Sequence, residues 1–245
     1  MDIVIYSMAA VLAVLGLYFV VPYYVRNCLR RRFLATVEEH AQVCLTFDDG
    51  PNPESTPDLL NLLDELEVKA TFFLIGQNIE KYPELCGAII QRGHEVGDHG
   101  HRHIHPWTCS PFCAAFDLFR GCLVLKKHSH SERPFWLRPP YGKLNLITLC
   151  YVLLNRRKLA FWSIDARDYQ PQSPEDLSAY VLHHFRSGSV ILMHERPFHR
   201  NKALEGNLEA IRTIVQEIKK RGYAFAKVSE ATEDITQYTP VFFNE

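Results

Sequence analysis

From Ile3 to Val25 the chain is an unbroken apolar stretch whose only ionisable side chains are tyrosines. As a helix it is long enough to cross the hydrocarbon core of a bilayer. Beyond residue 41 the pattern changes. Short apolar runs of strand length occur at 43–47, 71–75, 95–97, 135–138, 159–164, 190–193 and 223–228, seven in all. Between them lie longer segments with leucines and isoleucines at helical spacing. One runs from Pro57 to Glu67, with Thr56 as N-cap and Pro57 at the first helical position. Others cover 83–92, 174–185 and 204–221, and Gly93, Gly188 and Gly222 follow them where a left-handed C-cap is wanted. Strand and helix in such alternation predict parallel strands joined by crossover helices.

Polar residues at the ends of these runs narrow the architecture. Asp48 and Asp49 end the first, His99 and His103 follow the third, Arg138 ends the fourth, Asp165 and Asp168 follow the fifth, and His194 ends the sixth. Strand C-termini converge on one face of a parallel barrel, so the expected fold is α/β, a distorted parallel (β/α) barrel of about seven strands. One N-terminal transmembrane helix precedes it. The expected division is a membrane anchor at 1–25, a basic juxtamembrane linker at 26–41, the barrel domain at 42–230 and a C-terminal tail at 231–245.

Composition adds limits. The chain has 245 residues, 47% hydrophobic and 22% charged, which is globular, and its net charge of -1 argues against a nucleic-acid partner. A cleaved secretion signal is disfavoured, because Asp2 stands where a basic n-region belongs and no small-x-small site follows the apolar run. The reading is a single-pass membrane protein with an uncleaved anchor. Arg26, Arg30, Arg31 and Arg32 flank the span on its C-terminal side, which by the positive-inside rule directs the domain to the cytoplasm. Seven cysteines, with Cys44 and Cys150 in apolar surroundings, agree by reading as reduced core thiols. The side of the membrane on which the domain lies is nevertheless left open by the sequence.

The chemistry starts at Thr46-Phe47-Asp48-Asp49-Gly50-Pro51. Two adjacent carboxylates at a strand end repel, and call for a cation or strong donors nearby. The segment Asp98-His99-Gly100-His101-Arg102-His103 offers imidazoles, of which His99 and His103 could meet one aspartate around a metal, freeing the other aspartate as a base.

Together with Arg138-Pro139-Pro140-Tyr141-Gly142, Asp165-Ala166-Arg167-Asp168-Tyr169 and Leu192-Met193-His194, these segments resemble the five ordered motifs of the polysaccharide deacetylases, carbohydrate esterase family 4. The resemblance runs from about Cys44 to Val228. It implies a divalent metal, zinc by expectation, held by Asp49, His99 and His103 with positions open for water and an amide carbonyl. It also implies Asp48 as the base, Arg138 orienting it, the backbone N–H of Tyr141 as an oxyanion donor, and His194 as the acid held by Asp168. The activity so implied is hydrolysis of the N-acetyl amide of an N-acetylglucosamine-containing glycan, such as peptidoglycan or a chitin-like oligosaccharide.

Two departures stand out: Tyr169 occupies a position where the family has tryptophan, with an expected effect on the acyl pocket, and Gly100 replaces Ser or Thr, with an expected loosening of the metal loop. Asp165 is the other candidate partner for His194. His101 and His105 are expected to face solvent, and His94, Trp136 and Trp162 to pack. The insert at 106–133 reads as a helix and loop over the cleft or as barrel packing. Two other functions fit the same chain: a deacylase or deformylase of a lipid-linked amino sugar at the cytoplasmic face, and a non-catalytic glycan-binding barrel, whose signature would be loss of Asp48 or His194.

Overall fold

The computed structural model describes residues 2–129, 135–195 and 202–232. The N-terminus is one long helical rod: α1 (Asp2–Leu15), a π-type segment (Gly16–Val20) and α2 (Val21–Glu39). Then come β1 (Cys44–Asp48), α3 (Thr56–Glu65), β2 (Thr71–Leu74), α4 (Gly76–Lys81), α5 (Pro83–Gln91), β3 (Glu95–Asp98) and α6 (Pro111–Ser129). The second half holds α7 (Leu146–Leu154), β4 (Ile164–Asp165), α8 (Pro174–His184), β5 (Val190–His194) and α9 (Lys202–Lys220).

The strands form one parallel sheet in the order β3-β2-β1-β5-β4. Its central strands are buried on both faces, as parallel strands flanked by helices must be, which is why Cys44 to Phe47 and Thr71 to Leu74 carry no polar side chain other than threonine. One core cluster fills the space between the sheet and α3, α5, α8 and α9, with Leu63, Phe72, Ile89, Val181 and Ile214 fully buried. A second, on the other face, gathers Phe73, Trp136, Leu137, Phe161 and Val190.

Five strands are present among the described residues where seven were expected. The runs near 137 and 225 are reduced to isolated bridges: Leu137 pairs in parallel with Asp98 and with Leu159, and Phe225 with Val43. Pro139 and Pro140 follow the first of these runs at once, and proline lacks the N–H a ladder needs. The helices hold within a residue or two; α3 begins one residue early, with Ser55 rather than Thr56 at its N-cap. Gly93, Gly188 and Gly222 adopt φ of 81°, 72° and 83°.

The N-terminal rod corrects a second expectation. Residues 26–39 are helix, not linker, and the helix docks into the domain. Phe33 and Val37 are fully buried, with Phe33 edge-on to Trp136 and Phe161. Arg30 donates to the backbone carbonyl of Trp162 at 2.9 Å, and the Arg26 guanidinium lies 5.7 Å from the Phe161 ring. Arg26 and Arg30 therefore fix the helix to the domain as well as flanking the apolar span. Cys150 is exposed on α7, contrary to its expected core position, whereas Cys44 is buried; all seven cysteines are free thiols. The expected tail at 231–245 lies largely outside the described residues, although Ala231 and Thr232 are buried.

Candidate active site

Because every strand points the same way, all their C-termini meet along one edge. Asp48 and His194 end β1 and β5 and stand side by side in register, while His99 follows β3 and Asp165 ends β4. These residues line a cleft of about 420 Å³ with Asp49, His103, Tyr141, Lys143, Trp162 and Tyr169. Such a volume is in the range of small-molecule binding clefts.

On one flank, Asp49, His99 and His103 each present one ligand atom, all within 4.8 Å of one another. His103 Nε2 is 3.5 Å and His99 Nε2 3.7 Å from Asp49 Oδ1. The Nδ1–H of His99 donates to the carbonyl of Arg138 at 2.7 Å, which leaves the Nε2 lone pair facing the carboxylates. Burial keeps this ring neutral, lowering its pKa to about 3, with the His103 ring adding to the effect. Asp49 Oδ1 is buried with no hydrogen-bond partner. Two imidazoles and an orphaned carboxylate oxygen converging on one point fit a divalent cation, since burial without a partner would otherwise be costly.

The loop carrying these ligands is pinned, not loosened, at Gly100. Asp98 accepts from the N–H of Gly100 at 2.9 Å, and Asp117 of α6 accepts from those of His101 at 3.0 Å and Arg102 at 3.1 Å. Gly100 has φ of 76°, and a Cβ there would stand 2.8 Å from Asp117 Oδ2. Gly121 lets α6 approach, since a Cβ on it would meet the Gly100 backbone at 2.5 Å. Asp117 was missed in the sequence because its partner loop lies a helix away; its one signal is a carboxylate on the otherwise apolar face of α6. His101, expected in solvent, is 4% exposed, with Nε2 3.7 Å from Glu80.

Beside the metal-like cluster, Arg138 is fully buried and donates to Asp48 Oδ1 at 2.7 Å, to Thr46 Oγ1 at 2.8 Å and to the carbonyl of Phe161 at 3.2 Å. Its guanidinium lies 4.0 Å over the Phe73 ring. Asp48 Oδ2 is left facing His99 Nε2 at 3.6 Å. The expected Arg138–Asp48 contact is therefore present, with Asp48 held by one oxygen and open at the other.

On the opposite flank, His194 Nδ1–H donates to Asp168 Oδ1 at 2.8 Å while the His194 backbone N–H donates to Asp168 Oδ2 at 2.7 Å. Burial alone would favour the neutral ring, but the Asp168 hydrogen bond and charge, reinforced by Asp48 and Asp49, raise the pKa to about 9. Asp165 is not the partner: its Oδ1 accepts from the N–H of Arg167 at 2.9 Å. Tyr169 stands edge-on to His194 at 5.6 Å. Tyr141, on the turn that follows Arg138, has φ of 58°, as Asp49 has 73° and His103 55°. Left-handed backbone at three non-glycine residues around one cleft marks a site whose geometry is over-determined by its surroundings.

Besides Asp117, two further contributors were not anticipated. Trp162, expected to pack, lines the cleft, and its carbonyl is held by Arg30 of the N-terminal helix. Glu195, next to His194, is fully enclosed beneath the Asp48-Asp49-Gly50 turn and accepts from Thr56 Oγ1. Burial first, then the Asp49 charge, raises its carboxyl to about 8 against the Thr56 hydrogen bond. A Cβ on Gly50 would fall 1.7 Å from Glu195 Oε1, which is why glycine must follow the two aspartates.

A family model described as polysaccharide deacetylase matches residues 36–153. A peptidoglycan-N-acetylglucosamine deacetylase of Bacillus cereus is 33% identical over 189 residues, covering 76% of this chain and 66% of its own length. A chitooligosaccharide deacetylase of Bradyrhizobium sp. is 29% identical, covering 79% of this chain and 91% of its own length. Among solved structures, a peptidoglycan N-acetylglucosamine deacetylase in complex with 4-naphthalen-1-yl-N-oxidanyl-benzamide superposes with a TM-score of 0.73 at 30% identity, covering 79% of this chain and 88% of that one. The chain belongs to the polysaccharide deacetylases, carbohydrate esterase family 4, hydrolases that act on carbon–nitrogen amide bonds of glycans.

Proposed function

We propose that this chain is a membrane-anchored, metal-dependent deacetylase that removes the N-acetyl group from N-acetylglucosamine-containing glycan of the peptidoglycan or chitin-like class. The observation that carries it is the arrangement of two proton-transfer groups, Asp48 and His194, beside one ligand set, Asp49, His99 and His103. The names of the relatives support the substrate class. The bridges at Leu137, Leu159 and Phe225 support reading the sheet as a distorted barrel over 42–230. The apolar rod from Val4 supports a membrane anchor.

Asp49, His99 and His103 would hold a divalent ion, zinc by their imidazole and carboxylate donors, which would polarise the amide carbonyl and make a nearby water more acidic. Asp48, fixed by Arg138 through one oxygen, takes a proton from the attacking water with the other. The backbone N–H of Tyr141 donates to the oxyanion as it develops. His194, charged and steered by Asp168, delivers a proton to the departing nitrogen, without which an amine is a poor leaving group. The base and the acid flank the ligand set, so one amide between them meets both.

The test measures acetate released from N-acetylglucosamine oligomers and from peptidoglycan by the full chain in detergent. Asp48→Asn should lower turnover by about 10²–10⁴-fold with the fold intact. Turnover equal to the parent, or activity that survives thorough chelation with no metal found by elemental analysis, would overturn the reading.

A further inference from the structure

Helix α6 carries a surface that the catalytic reading does not use. Phe112, Phe116, Phe119 and Leu123 are 73%, 58%, 44% and 51% exposed. Their spacing of four, three and four residues places them on one stripe, opposite the buried Ala114, Leu118, Gly121 and Leu125. Four large apolar side chains open to water on one helix are costly unless something covers them.

The surroundings of the stripe point to what does. Trp107, just ahead of α6 and 41% exposed, meets Phe19 of the N-terminal rod edge-on at 5.7 Å. Helix α7, which packs on α6, also packs on Gly16–Val20 of that rod. Counting from Val4 at 1.5 Å per residue, Phe19 lies roughly 22 Å along the helix. A hydrocarbon core is about 30 Å thick, so Phe19 lies within roughly 8 Å of the level where acyl chains give way to headgroups. Trp107, in contact with Phe19, therefore lies close to the interfacial depth where tryptophan is favoured, and Lys126 and Lys127, exposed in the last turn of α6, suit lipid phosphates.

We propose that the Phe112–Phe116–Phe119–Leu123 stripe, continuous with Trp107, rests in the interfacial layer of the same bilayer that the N-terminal helix crosses. The inference rests on reading that helix as a membrane anchor. It fixes the domain flat on the membrane. Trp107 also carries Lys143 over its ring at 4.6 Å, and Lys143 lines the cleft, so the mouth of the site opens at the headgroup layer and takes glycan held close to the membrane.

Full-length chain reconstituted in vesicles of brominated-chain lipids provides the test, with Phe112→Trp and Phe116→Trp as reporters and Tyr6→Trp on the rod as a reporter of the anchor. The expected result is that emission added by each α6 tryptophan is largely lost in brominated vesicles and kept in unbrominated ones. Emission from both α6 positions that ignores the brominated chains, while Tyr6→Trp is quenched, overturns the proposal and leaves the anchor standing; the stripe is then covered by protein or open to water. If Tyr6→Trp also escapes quenching and the chain washes off the vesicles, the anchor reading fails with it. Both α6 substitutions replace one exposed aromatic by another, so the fold is preserved.

Discussion

His99 and His194 face each other across one cleft, and the protein drives them in opposite directions. Burial, with the His103 ring adding to it, lowers the His99 pKa to about 3 against the opposing pull of the Arg138 carbonyl on Nδ1, so the ring stays neutral and presents a lone pair. His194 is nearly as enclosed, yet a carboxylate on Nδ1 raises it to about 9, so the ring carries a proton. Burial drives both rings toward the neutral form, and only a full carboxylate on Nδ1, where His99 has a carbonyl, overcomes it and makes the histidine an acid.

Substitution should separate the two most sharply. His194→Ala is expected to keep the metal, read by elemental analysis, and to lose about 10²–10⁴-fold in turnover, whereas His99→Ala should lose metal and activity together. Metal retained by both variants would erase the distinction. Asp168→Asn is the next largest: with the carboxylate gone, burial dominates, the His194 pKa falls, and the alkaline limb of the pH–rate profile moves to lower pH. A profile that only scales down, without moving, would assign Asp168 a packing role.

Asp117→Asn should weaken metal affinity by about 10–100-fold, the usual cost of losing an outer support, measured by competition with a chelator, and should leave the pH profile of the loaded enzyme in place. The smallest effect is on stability of the metal-free chain. His194 has a raised pKa in the fold, so its contribution is full below about 6.5 and is lost as pH rises through about 9. His99 has a lowered one, so its cost grows as pH falls below about 6.5 toward 3. Urea unfolding should therefore show His194→Gln flattening the alkaline side and His99→Gln the acid side; the reverse pattern would refute both assignments.

The five motifs were legible because each ends or follows an apolar run, and in a parallel sheet those ends share an edge. The partners were harder to read. Asp165 and Asp168 could not be told apart as the support of His194 from spacing alone; the turn after β4 spends Asp165 on the N–H of Arg167 and leaves Asp168 for the ring. Asp117 and Glu195 were invisible for a related reason, since each acts on backbone or side chains far away in sequence.

The order of apolar runs, the adjacent carboxylates and the spaced histidines determined the fold class and the candidate chemistry without coordinates, since periodicity and strand ends are local properties of the chain. Tertiary structure alone decided that residues 26–39 are a docked helix, that Gly50 must be bare beneath Glu195, and which ring carries a proton. Those outcomes depend on groups brought together from distant positions, where burial and a single neighbouring charge outweigh anything the local sequence prefers.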